Sequence, residues 1–189
     1  MSINLPNILT LGRIILILPF AMLFFHGSAV TRWEALALFV LAAVTDWLDG
    51  HLARRLHQES ALGRMMDPIA DKLLVTTAII LLVATGNITG WSIAAALLIL
   101  LREIAVSGFR EHLGPLGVVV PVSTLAKWKT TVQLVAIGFL LAGEAGDQVV
   151  PIVTQTGLLL LWISAIFTIY TGWDYFRAGI HHLIKEDEA

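Results

Sequence analysis

Six long apolar segments constrain this chain more than any other feature of its sequence. With soft ends, they cover about 8–26, 33–53, 68–86, 91–110, 129–143 and 153–175, and a helix needs ~20 mostly apolar residues to cross a bilayer. Hydrophobic residues make up 57% of the 189 residues and charged residues only 14%, against about 25% charged in a soluble domain. The sequence therefore predicts an all-α integral membrane protein, with six transmembrane helices in one domain spanning 1–189.

Turn-forming residues separate several of these segments, at 26–28, 86–90 and 143–147. The first segment is similar to a signal peptide in its apolar run, but Arg13 is its first cation, so the positive leader of a signal peptide is missing. We expect it to be a retained transmembrane helix. The chain contains no Cys, which excludes disulfides, a thiolate nucleophile and a Cys-based zinc site.

The distribution of Lys and Arg predicts the orientation of the spans, because cytoplasmic loops are enriched in these residues. Arg32 is the only one between the segments on one side of the predicted membrane. Eight lie on the other side: Arg54, Arg55, Arg64, Arg110, Lys127, Lys129, Arg177 and Lys185. Both termini are therefore predicted to be cytoplasmic.

Four aspartates lie in or at the edge of the second and third segments, where an ionisable side chain is costly and indicates a functional site. Asp46 and Asp49 share one helix face, as do Asp67 and Asp71. At 1.5 Å per residue, Asp46 and Asp71 both lie roughly 10–12 Å inside the cytoplasmic end of their spans. Two adjacent antiparallel helices can point such carboxylates at each other, and hard oxygen ligands suit Mg²⁺ or Mn²⁺. We predict two such ions, about 3.5–4 Å apart, at the cytoplasmic side of the bundle.

These residues form a longer pattern that resembles the signature of the CDP-alcohol phosphatidyltransferase family. The pattern reads Asp46-x2-Asp49-Gly50-x2-Ala53-Arg54-x8-Gly63-x3-Asp67-x3-Asp71. Three further blocks, at 4–13, 101–111 and 126–131, are similar to the bacterial branch of the family that makes phosphatidylglycerophosphate. That branch often has Gly where this chain has Ala126.

The resemblance implies a six-helix enzyme of the bacterial cytoplasmic membrane, usually a homodimer. It would transfer the phosphatidyl group of CDP-diacylglycerol to sn-glycerol 3-phosphate and release CMP. It also implies roles for individual residues: Asp46, Asp49, Asp67 and Asp71 as metal ligands, with Asp71 also as catalytic base; Thr10, Arg13, Gly50, Arg54, Ser60 and Gly63 at the CDP-diacylglycerol site; Arg102, Arg110 and Lys127 as ligands of the acceptor phosphate.

Several alternatives remain open at this stage. The acceptor could be another alcohol, such as inositol phosphate, serine or phosphatidylglycerol, since the aspartate motif does not select it. The chain could also be a cation transporter, since transporters use intramembrane carboxylates too, or a non-catalytic membrane scaffold. Arg102 could pair with Glu103, although neighbouring residues on a helix point apart. A net charge of −2 argues against a nucleic-acid partner.

Overall fold

A computed structural model describes residues 5–56, 61–113 and 124–187. Side chains at 5–6, 47, 49–56, 61–62, 64, 112, 124 and 178–187 fall outside this description. The described ranges contain helices and no strand, which confirms the all-α prediction. The helices are α1 (Leu5–Leu23), a short 3-10 turn (Phe24–His26), α2 (Ala29–Leu56), α3 (Ala61–Ala84), α4 (Ser92–Leu113), α5 (Thr124–Asp147) and α6 (Val153–Asp187).

Each helix covers one of the six predicted segments and several are longer than the apolar run that predicted them. α3 begins at Ala61, seven residues before the apolar run, and α6 continues to Asp187, well beyond it. These extensions fall at the ends predicted to be cytoplasmic. Charged side chains end the apolar pattern there, but Lys, Arg and Glu are good helix formers, so the helix itself continues.

Four described helices are long and apolar enough to cross a membrane. They are Asn7–His26, Ser92–Glu111, Leu125–Asp147 and Val153–Arg177. The chain is therefore a membrane protein with at least these apolar helices. α2 and α3 occupy the second and third predicted segments but are less uniformly apolar. In α3, for example, Asp67, Asp71 and Lys72 interrupt the apolar sequence. The six-span topology and the cytoplasmic termini stay predictions.

The chain divides into two compact units, each described here by itself. The first unit contains Met1–Ile88 and Ile137–Gly157, and the second contains Thr89–Ala136 and Leu158–Ala189. In the first unit α1 packs against α2 and α3. Phe20 lies at the centre of this packing, with its ring 5.5 Å from that of Phe24 and 6.3 Å from that of Phe39. The small buried residues Ala70 and Ala78 allow close approach along α3.

The predicted turns at 26–28 and 86–90 are confirmed, since Gly27, Gly86 and Gly90 have positive φ and the next helices begin after them, at Ala29 and Ser92. The predicted break at 143–147 is confirmed at Gly143 but not beyond it. Gly143 has a non-helical conformation (φ 46°, ψ −133°), yet helical structure resumes and reaches Asp147. The connection follows at 148–152, and the Asp147 carboxylate accepts the backbone N–H of Thr154 at 3.0 Å, as a helix cap does. A glycine here kinks a helix rather than ending it.

Asn87 supports this kink within the first unit. Its amide nitrogen donates to the carbonyl of Leu140 at 3.4 Å, one turn before Gly143. Its amide oxygen accepts a hydrogen bond from Arg32 at 2.8 Å, and the Arg32 guanidinium lies 5.5 Å from the centroid of the Phe24 ring. A methyl group added at Gly143 would collide with the Asn87 side chain. The kink and the Asn87 contacts therefore depend on each other.

We expect Gly143→Ala to lower the thermal stability of the detergent-solubilised protein by about 1–3 kcal/mol, because alanine is strained at this φ and its methyl displaces Asn87. Gly108→Ala is the matched control. Gly108 lies inside α4 with open space around its Cα, so alanine there should be neutral or slightly stabilising. Equal melting temperatures for Gly143→Ala and the wild type would contradict this account of the kink.

Candidate functional site

The N-terminal half of α1 carries three polar side chains on one face. Asn7, Thr10 and Arg13 follow each other at intervals of three residues, so they lie in a row along the helix. All three are buried, and Arg13 is only 1% exposed. A buried guanidinium must find an anionic or hydrogen-bonding partner, since an uncompensated charge in a membrane helix is costly.

The partners of this row are the predicted aspartates. Thr10 donates its hydroxyl hydrogen to Asp67 of α3, with 2.7 Å between the oxygens. Arg13 forms a hydrogen-bonded ion pair with Asp46 of α2. Because Thr10 and Arg13 are one helical turn apart, the carboxylates of Asp46 and Asp67 meet the same face of α1 about one turn from each other. α1 thus brings together two motif residues that are 21 positions apart in sequence.

The structure describes some of the remaining motif residues and not others. Asp71 is half-buried and lies one turn beyond Asp67 on α3, on the same face. Gly63 is buried near the start of α3. The side chains of Asp49 and Arg54, the environment of Gly50 and all of Ser60 lie outside the described residues.

The donor set fits a hard divalent cation by its chemistry. Asp46, Asp67 and Asp71 offer carboxylate oxygens, the ligands that Mg²⁺ and Mn²⁺ prefer, and the Asp46 side chain is 43% exposed, so an ion can reach it. Among the side chains that the structure describes, no three carboxylates or imidazoles form a ready ligand group, and Asp49 is not among them. The two-ion site stays a prediction.

A second cluster of charges lies in the second unit. The Glu103 carboxylate forms a hydrogen-bonded ion pair with Lys129 of α5. The same Glu103 oxygen lies 3.5 Å from a terminal nitrogen of Arg102. The other terminal nitrogen of Arg102 donates to the Thr171 hydroxyl of α6 at 3.2 Å. Glu103 therefore joins α4 to α5, and Arg102 joins α4 to α6.

This cluster corrects one expectation from the sequence. Arg102 and Glu103 leave the helix in different directions, but their long side chains bend back to within ion-pair distance. Lys129, Thr171 and Asn7 were not among the predicted site residues. The signal that could have found Lys129 was its position within an apolar segment, where a cation must be paired.

The other two predicted phosphate ligands are also in the second unit and are exposed. Arg110 lies on α4, with its guanidinium 5.6 Å from the centroid of the Tyr175 ring, a cation–π distance. Phe109 stacks on Phe176, 5.1 Å between centroids, so an aromatic group supports this end of α4. Lys127 is exposed in the first turn of α5. Ala126 lies beside it in helical conformation, which suits alanine as well as glycine.

Fold and site together define an all-helical membrane protein with helix-borne carboxylates in one unit and a basic cluster in the other. A profile of the CDP-alcohol phosphatidyltransferase family matches residues 3–170. The chain belongs to the CDP-alcohol phosphatidyltransferase family. This confirms the resemblance seen in the sequence, and it supports an enzyme over the transporter and scaffold alternatives.

Individual relatives match nearly the whole chain. It is 44% identical to a protein of Rickettsia bellii, over 93% of this chain and 94% of the relative. It is 39% identical to a protein of Cereibacter sphaeroides, over 98% of this chain and 100% of the relative. It is 36% identical to a protein of Bacillus subtilis, over 92% of this chain and 93% of the relative. Each of these three is named CDP-diacylglycerol–glycerol-3-phosphate 3-phosphatidyltransferase.

The Arg13–Asp46 pair predicts a measurable coupling. Arg13→Met should lower the free energy of unfolding in detergent, because it leaves Asp46 without its cation. The loss of unfolding free energy in the double variant Arg13→Met/Asp46→Asn should be smaller than the sum of the losses in the two single variants. The difference, the coupling energy, should be about 1 kcal/mol. We expect no more than this because the partly exposed Asp46 is screened by solvent. Strictly additive losses, measured by thermal or denaturant unfolding, would contradict the pairing.

Proposed function

We propose that this protein transfers the phosphatidyl group of CDP-diacylglycerol to sn-glycerol 3-phosphate, giving phosphatidylglycerophosphate and CMP. The observation that carries the proposal is the identity of 36–44% to proteins of that name over at least nine-tenths of this chain. The contacts that bring Asp46 and Asp67 to one face of α1 support it from the structure. The metal dependence, the roles of individual residues and the contacts with the acceptor are parts of the same proposal.

Asp46, Asp49, Asp67 and Asp71 are proposed to hold two Mg²⁺ or Mn²⁺ ions. Such ions would neutralise the diphosphate of the donor and stabilise the charge that develops on the leaving group. Thr10 fixes the Asp67 carboxylate through its hydroxyl, and Arg13 fixes that of Asp46. Partners of this kind orient the ligands of a metal, and their loss typically costs 10–100-fold in metal affinity or activity.

We place the donor lipid near the same residues. Thr10, Arg13, Gly50, Arg54, Ser60 and Gly63 are proposed to line the CDP-diacylglycerol site. Gly50 and Gly63 have no side chain, so a ligand can approach the backbone closely there. Because Thr10 and Arg13 already contact the aspartates, their contribution to donor binding would come together with the positioning of the metal ligands.

Asp71 is proposed to act as the general base. It would take the proton of the primary hydroxyl of glycerol 3-phosphate, and the resulting oxygen would attack the phosphorus of the phosphatidyl group. A new phosphorus–oxygen bond forms to the acceptor, the bond to CMP breaks, and CMP leaves with the electron pair. An alcohol is a poor nucleophile at neutral pH, so a positioned base typically contributes 10²–10⁴-fold.

Arg102, Arg110 and Lys127 are proposed to bind the phosphate of the acceptor. A phosphate dianion prefers a cluster of cations, and arginine can contact it with two parallel hydrogen bonds. We further propose a homodimer in the cytoplasmic membrane of a bacterium, with six spans, both termini in the cytoplasm and the active site facing it. A cytoplasmic opening would admit the soluble acceptor while the acyl chains of the donor stay in lipid.

An acceptor panel tests the proposal. Purified protein, CDP-diacylglycerol and Mg²⁺ or Mn²⁺ should convert labelled glycerol 3-phosphate into a lipid-soluble product and release CMP, and a chelator should abolish both. Inositol phosphate, serine and phosphatidylglycerol should give little product under the same conditions. Product from one of these but not from glycerol 3-phosphate would overturn the acceptor assignment while leaving the family chemistry in place.

Asp71→Asn tests the base. We expect a loss of at least 100-fold in turnover, with CDP-diacylglycerol binding changed only a few-fold, because the amide cannot take a proton but keeps the size of the carboxylate. Glu144→Gln is the control: it also neutralises a carboxylate, but Glu144 is exposed at the far end of α5, so its turnover should equal that of the wild type. Retained turnover in Asp71→Asn would refute the assignment.

A further inference from the structure

The charge cluster of the second unit is asymmetric. One oxygen of Glu103 faces two cations, and it forms a direct hydrogen bond with Lys129 while it lies 3.5 Å from Arg102. The contact with Lys129 is the stronger one, because a charge-assisted hydrogen bond is stronger than an ion pair at 3.5 Å without one. Glu103 is therefore held by Lys129 more closely than it holds Arg102.

The two cations also differ in burial. The Lys129 side chain is 3% exposed, whereas that of Arg102 is 17% exposed. A soluble anion can reach a side chain only through its exposed part. Part of the Arg102 side chain is therefore open to direct contact with an anion, whereas the Lys129 side chain is covered and contacts Glu103.

Contacts with α6 hold Arg102 in a fixed position. Thr171 accepts a hydrogen bond from one terminal nitrogen at 3.2 Å. Gly172 lies against the aliphatic stem, where a Cβ would come within 3.1 Å of the Arg102 Cγ. The stem is thus packed on α6, and the other terminal nitrogen faces Glu103. Whether that nitrogen can bind a ligand depends on how strongly it interacts with Glu103.

Lys129 contributes to the net charge of the cluster that it forms with Arg102 and Glu103. Arg102, Glu103 and Lys129 together carry +1, which attracts an anion. Arg110 adds a further positive charge that acts on Arg102. Removing Lys129 takes one positive charge from the group and leaves Arg102 as the cation nearest to Glu103. Glu103 would then close on Arg102, because a carboxylate left beside a single guanidinium forms a charge-assisted pair with it. Arg102 would be occupied by an internal anion instead of a ligand.

We propose that Lys129 is a positioning residue for the acceptor: by its hydrogen bond to Glu103 it keeps that carboxylate from closing the 3.5 Å separation to Arg102, and so leaves Arg102 to bind the phosphate of glycerol 3-phosphate. This inference rests on the proposed function, in which Arg102 is a phosphate ligand. It assigns roles to two residues, Lys129 and Glu103, that need not touch the substrate themselves.

Steady-state kinetics of three variants test the inference, with glycerol 3-phosphate and CDP-diacylglycerol varied separately. Lys129→Met should raise the KM for glycerol 3-phosphate at least tenfold, while kcat and the KM for CDP-diacylglycerol change less than threefold. The double variant Lys129→Met/Glu103→Gln restores the cluster to +1 and should return the KM for glycerol 3-phosphate to within threefold of wild type. Lys129→Arg, which keeps the charge, should stay near wild type.

The outcomes separate this role from its rivals. An unchanged KM for glycerol 3-phosphate in Lys129→Met would overturn the inference. A double variant as impaired as the single would show that Lys129 binds the phosphate itself, and rises in both KM values would show a merely structural role. If Lys129→Met does not fold, the double variant alone decides, since the inference requires near-normal acceptor affinity from it. A wild type inactive with glycerol 3-phosphate would instead be a failure of the proposed function.

Discussion

The compensation of charges buried in apolar helices is the constraint on which the rest of this structure depends. Arg13 of α1 is buried and pairs with Asp46 of α2, and its neighbour Thr10 holds Asp67 of α3. The Arg13 contact matters because the guanidinium is fully buried, so it has little solvent to stabilise its charge. The packing of α1 on both α2 and α3 brings each of these groups to its partner.

The same physical solution recurs in the second unit with the signs distributed differently. There the buried cation is Lys129, and Glu103 is the anion that compensates it. One excess positive charge remains on the group, located on the more exposed Arg102. The first unit thus presents carboxylates, suited to cations, and the second presents a net cation, suited to a phosphate. In both units the pairs that stabilise the helices also orient the groups proposed to bind ligands.

Neither kind of pair is an efficient way to stabilise a fold. Replacing a buried ion pair by apolar side chains is often neutral or stabilising, whereas removing one partner is costly. The presence of several such groups in apolar helices is therefore better explained by chemistry than by stability. Glu103 illustrates this point: it offsets one cation without abolishing the positive charge of the cluster.

Features that depend on neighbouring residues could be predicted from the sequence, whereas contacts between residues far apart in sequence could not. The apolar segments predicted all six helices to within a few residues in their apolar parts, because hydrophobicity and helix formation are local properties of the chain. The predicted break at 143–147 was too long, because glycine and charged residues are typical of a turn but helical structure resumes after Gly143. There Gly143 kinks α5, and Asn87, more than fifty residues away, supports the kink. A local pattern carries no information about a partner so far away in sequence.

The sequence by itself determined the helical membrane architecture, the family and the residue types of the site, because these depend on composition, period and motif spacing. Only the tertiary structure decided which side chains meet: Thr10 with Asp67, Arg13 with Asp46, and Glu103 with Lys129. The physical reason is that pairing depends on the packing of separate helices. Spacing within one helix gives the face of each residue but not which helix lies against it.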